Sequence, residues 1–123
     1  MLLRTKKEVF EVKIKRGKYV GTFNIQPLDP EEREELRKEF SDYERVKGQL
    51  MPDPDFIGLK IARVQKEIKN WDAKNEYGDE IPCTNDNKRT AYLLNSDIID
   101  EALNKASDMA GEVIKKKRAK EKN

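Results

Sequence analysis

A chain of 123 residues with 41% charged and 36% hydrophobic side chains can build one domain around a modest core. It excludes a helical membrane span, because no apolar run approaches the roughly 20 residues that a bilayer requires. The net charge of +2 conceals a segregation: Arg4, Lys6, Lys7, Lys13, Lys15, Arg16 and Lys18 make a basic arm, 115–123 a basic tail, and the stretch between is acidic.

From Glu8 to Ile25 the period is two. Phe10, Val12 and Ile14 alternate with Glu11, Lys13 and Lys15, and after Arg16-Gly17 a second run puts Tyr19, Gly21, Phe23 and Ile25 on one face. That predicts a β-hairpin over 8–25. A lone hairpin is marginal in water, so its apolar face needs a helix, a third strand or another copy of the chain.

Asp29-Pro30-Glu31-Glu32 predicts a helix N-cap, a proline at the first helical position and a glutamate able to complete a capping box. The helix should run to about Lys47, with Leu36, Phe40 and Tyr43 inward and Gly48 as its stop. Gln49–Pro52 reads as a connector, and Asp53-Pro54 repeats the cap-and-proline start. Ile57, Ile61, Val64, Ile68 and Trp71 then recur at intervals of four and three, which predicts one helix carrying all five on a single stripe. Trp71 at its last turn would cover the end of the core.

The segment Asp72 to Glu80 reads as an acidic turn with Gly78 at positive φ. As a calcium loop it fails, since placing Gly78 at the sixth position puts Ala73, Tyr77 and Thr84 where oxygen-rich ligands belong. Ile81-Pro82 is extended, and Thr84 should cap a short helix to about Leu94, with Ala91, Tyr92 and Leu94 inward. Asn95-Ser96-Asp97 interrupts and caps a last helix, whose Ile99, Ala102, Leu103, Ala106, Met109, Ala110 and Val113 form a stripe with small residues. The expected architecture is α+β: an N-terminal hairpin and a helical body of about four helices, one domain over 1–114 (helical body 29–114), with a disordered basic tail over 115–123.

The chain has no histidine, which removes the commonest general base and transition-metal ligand. Its one cysteine, Cys83, has no second thiol to pair with and suits a reducing cytoplasm; a packing or surface role is expected for it. The start of the chain lacks the apolar stretch of a secretory signal. No phosphate-cradling or nucleophile-elbow string occurs, so neither an enzyme nor a cofactor or metal site is expected. The hairpin's aromatics and most of its charges fall on opposite faces, which weakens a nucleic-acid platform and favours core or protein partner. The lysine tail suits a helix C-terminus, whether or not it also meets an anionic partner.

Read whole, the segment from Trp71 to Leu94 resembles the central W…D…G…P-x-T-x-x-N stretch of tail assembly chaperones from long-tailed bacteriophages and prophages, with Trp71, Asp72, Gly78, Pro82, Thr84 and Asn87 corresponding. The likeness extends over about Phe23 to Met109, including the proline-marked Ile25-Gln26-Pro27-Leu28-Asp29. It departs in the lysine-rich tail and in the sparse aromatics around Tyr92. The resemblance implies a non-enzymatic protein of the host cytoplasm. Such a chaperone binds the helical, aggregation-prone tape-measure protein, keeps it soluble and helps recruit tail-tube subunits. Partner contact would fall on Phe10, Tyr19, Phe23 and Trp71, the alternative being that they pack on the helices as core, and copies of the chain could associate through the hairpin. Two other classes stay open: a nucleic-acid-binding regulator using the basic arm and tail, and a structural tail or neck component.

Overall fold

The computed structural model describes residues 3, 5–46 and 56–121; for Tyr19, 41–46, Phe56 and 114–121 it describes the backbone course only. The period-two runs form the hairpin, β1 (Phe10–Arg16) and β2 (Tyr19–Ile25), antiparallel with Phe10 opposite Ile25 and Arg16 opposite Tyr19. Gly17 has φ +58°, and no described non-glycine residue has a positive φ. Glycine first and Lys18 second is the pattern of a II′ turn, whose twist matches that of the strands. Phe10, Val12, Ile14, Phe23 and Ile25 all point inward.

The partner the hairpin needs is a third strand. Helix α2 (Phe56–Glu67) stops at Glu67, and β3 (Ile68–Trp71) follows with no linker, pairing antiparallel with β2 to give the order β1-β2-β3. The single helix expected through Trp71 is therefore corrected: Ile68 and Trp71 belong to the sheet. Ile25 faces Ile68 but Asn24 faces Asn70, so Lys69 is an extra, bulged residue. In a regular strand, residues three apart point to opposite faces. The bulge restores both Ile68 and Trp71 to the core face, which is why a strand here mimics a helical spacing. Ile57, the first of the five stripe residues, is 60% exposed.

Helix α1 (Pro30–Val46) begins with the expected capping box: Asp29 Oδ1 accepts from the Glu32 amide at 2.8 Å and Glu32 Oε1 from the Asp29 amide at 3.2 Å. Leu36 is buried and Phe40 half-buried. The Tyr43 side chain, the Gly48 stop, the 49–52 connector and the Asp53-Pro54 start lie outside the described residues. Helix α3 (Asn85–Leu94) is capped by Thr84 as expected, but Leu94 is 77% exposed, and Lys88 is buried beside Tyr92. Lys88 buries its stem and donates from Nζ to Gln65 O at 3.2 Å. Helix α4 (Ser96–Glu121) lies along the inner face of the sheet, chiefly on β1. Ala102 and Ala106 are fully buried there and permit the close approach. The segment expected to be disordered from residue 115 instead continues α4 as helical backbone to Glu121.

Besides Lys88, whose amine reaches a main-chain oxygen, one carboxylate lies in the interior of the described residues. Glu67 is fully buried, with Arg63 Nε bonded to its Oε2 and no hydrogen-bond partner for Oε1. Burial pushes its carboxyl above the usual range, while the charges of Arg63 and Arg33 and the Leu28 amide pull more weakly the other way. A raised folded-state pKa contributes stability that is fully present below the unfolded value and lost as pH rises through the folded one. Glu67→Gln should thus match or exceed the parent by on the order of 1 kcal/mol at neutral pH, because Arg63 remains partly in water and is not stranded. That advantage should vanish as pH falls toward about 4.3, read as the difference between paired urea melts.

Candidate functional site

The residues that carry the sequence resemblance converge on one loop, and each has a bonding task in it. Asp72 fastens the end of β3 to β2 twice: its amide donates to Thr22 O at 3.2 Å, and its Oδ1 accepts from the Thr22 amide at 2.8 Å. The Trp71 indole Nε1 donates to Ile81 O at 2.7 Å, drawing the returning strand against the sheet, and the Ile81 amide donates to Ala73 O at 3.0 Å. Gly78 at φ +83° turns the chain between the paired Lys74 and Glu80. Pro82 O accepts from Asn87 Nδ2 and from the Thr84 amide, both at 2.9 Å, while Thr84 Oγ1 caps the Asn87 amide at 3.2 Å. The segment from Trp71 to Asn87 is a lock that ties β2, β3 and α3 together.

Asn75, which the sequence reading passed over, organises the tip. Its Oδ1 accepts from the amides of Tyr77 and Asp79 at 2.9 and 3.0 Å, and its own amide donates to Asp79 O. An Asn three residues before a Gly was the available signal for this Asx turn. Tyr77 stands at the tip with 86% of its surface exposed.

Of the residues expected to meet a partner, Phe10, Phe23 and Trp71 are core. Phe23 is 2% and Trp71 9% exposed, and their rings meet edge to face at 6.4 Å and 82°. This corrects their expected place on a partner surface: they hold the sheet to the helices and offer no ring to solvent. The Tyr19 side chain lies outside the described residues. What the hairpin does show to solvent is its opposite face, with Glu11, Lys13, Lys15 and Val20 exposed and Thr22 and Asn24 half-buried.

Helices α2 and α3 run antiparallel. Gln65 Nε2 reaches Asn85 O at 3.2 Å at one level, and Asp100 links Lys60 to Tyr92 at the next. Ile57, near the start of α2, and Leu93 and Leu94, at the end of α3, have their side chains exposed. Ile57 and Leu94 were expected to face the core and instead face solvent, as does Leu93.

Two hollows flank the lock and the N-terminal arm. One of about 600 Å³ is lined by Asn70–Lys74 and Glu80–Cys83, and one of about 410 Å³ lies between Lys6, Phe10, Leu28, Arg33 and Ala110. Burial raises the Cys83 thiol against a weaker pull from Lys88, so it is held as the poorly nucleophilic thiol. Among the described residues no cluster of three or more His, Cys, Asp or Glu side chains is placed to hold a metal ion, and no helix is long and apolar enough to cross a membrane. Compared with family models, curated proteins and solved structures, the chain finds no match at a significant level.

The lock makes a graded prediction. Trp71→Phe keeps the ring against Phe23 but loses the indole bond, so it should cost about 1 kcal/mol in a denaturant melt and speed amide exchange at Ile81. Tyr77→Ala on the same loop should change stability by less than about 0.5 kcal/mol.

Proposed function

We propose that this protein is a non-enzymatic tail assembly chaperone that binds the tape-measure protein of a long-tailed phage and keeps it soluble in the cytoplasm of the host while tail-tube subunits assemble. The observation that carries the reading is the lock. All six residues of the W…D…G…P-x-T-x-x-N resemblance act within one bonded unit, as a signature inherited for folding would, rather than being scattered over unrelated surfaces.

The binding surface in this reading is the exposed end of α2 and α3. A helical client segment presents apolar residues at spacings of three and four, and Ile57, Leu93 and Leu94 offer it a place to bury them. Burying one such side chain contributes roughly 1.5–3 kcal/mol, so a single contact is weak and several along an extended client add through avidity. The exposed Arg89, Thr90, Asn95 and Ser96 nearby in the chain would keep the chaperone itself soluble between clients.

Co-expression with the tape-measure protein of the same genome tests the reading. The client should move from the insoluble to the soluble fraction and co-elute with this chain. The double variant Ile57→Glu/Leu94→Glu should lower the soluble client by about tenfold with an unchanged melting temperature. A client that remains insoluble beside the parent protein removes the proposal.

A further inference from the structure

Two surfaces on this chain are opposite in charge, and among the described residues no ion pair joins them. The first is the open face of the sheet. Lys13 and Lys15 lie on β1, Lys69 bulges from β3 and Lys18 occupies the hairpin turn; all four are exposed, and among the described residues none has a carboxylate partner, whereas Lys7, Arg16, Arg37, Lys60 and Arg63 do. Among the described residues Glu11 and, after the inward Trp71, Asp72 opposite Thr22 are the acids on this side, and Val20, 66% exposed beside Lys15, is its apolar spot.

The second surface is the tip of the lock. Glu76, Asp79 and Glu80 surround Tyr77, the most exposed of the large hydrophobic side chains described. The turn beneath is fixed by three bonds to Asn75 and by the Lys74–Glu80 bridge, so Tyr77 is presented with little ordering entropy left to lose. An aromatic ringed by carboxylates is a knob whose charge opposes that of the lysine face. Val20 is a place for the ring.

We infer that the acidic Tyr77 knob of one copy docks on the lysine face of a second copy. Charge sets the orientation, since knob on knob and face on face are both repulsive. A nucleic acid is the poorer occupant. Among the described residues the face carries no ring for stacking, because Phe10, Phe23 and Trp71 are in the core, and the nearby arginine, Arg16, is taken by Asp97 and Glu101. The knob is small, well short of the roughly 800 Å² per partner of a standard interface, so the association is weak and salt-sensitive. This inference is independent of the client proposed above.

Analytical ultracentrifugation of the purified chain tests it without any client. In about 50 mM salt the average mass should climb above 14.4 kDa between roughly 20 and 500 μM and return to it in about 0.5 M salt. Tyr77→Ala should weaken association by about tenfold. Lys13→Glu/Lys15→Glu and Glu76→Lys/Glu80→Lys should each abolish it, and mixing these two charge-reversed variants should restore it, with melting curves confirming that every variant folds. The inference is overturned by a chain that is monomeric throughout, by association indifferent to these substitutions, or by a mixture that fails to reassociate. Retention on heparin that depends on Lys13 and Lys15 in a monomeric chain would also overturn it, in favour of a polyanion.

Discussion

Two strands joined by a tight turn do not stay folded in water, and here the missing support arrives from more than forty residues away. β3 adds to β2, Asp72 bonds both polar groups of Thr22, and Trp71 seals the inner face against Phe23. Until that docking occurs α4 has only a hairpin to lie on. Once it occurs, the sheet presents a continuous apolar surface, and the last helix can close the core.

Closure depends on size as much as on hydrophobicity. Ala102 and Ala106 let the α4 backbone approach β1, with Ile99 and Leu103 filling the space to either side. The ion pairs at the margin, such as Arg16 with Asp97 and Glu101, are largely exposed and add orientation more than stability. Glu67 is different. It sits where α2 becomes β3, its main-chain oxygen accepts from the Gln26 amide at 2.8 Å, and its carboxylate is shared with Arg63. A buried charge at that junction opposes folding in isolation and ties the start of α1 to the end of α2 in its context.

Much of this was legible in the residues. The hairpin was, because alternation and a glycine-led turn leave few alternatives; so were the Asp29 and Thr84 caps, whose side chains act on amides only a few positions away. β3 was not. A one-residue bulge makes Ile68 and Trp71 keep the period of a helix, and only pairing with distant β2 decides between the two. Leu94 misled because its neighbour Tyr92 takes the inward position on a helix of ten residues. The candidate site was legible as a pattern but not as a mechanism: Trp71, Asp72, Thr84 and Asn87 could be named, yet their bonds to Ile81, Thr22 and Pro82 exist only once the loop has closed. Tyr77 gave no periodic signal, since a residue that packs on nothing has none to give.

The extra residue at Lys69 also governs how this segment can change over generations. With the bulge, Ile68 and Trp71 share a side of the sheet at a spacing of three; without residue 69 they would be two apart and share it as a regular strand does, so no side chain at 69 is required by the core. Lineages descended from this chain should therefore exchange letters freely at that point, and should also be able to drop it without changing the inner face. A codon lost there would flatten the local kink while leaving the indole inward and Asp72 beside Thr22.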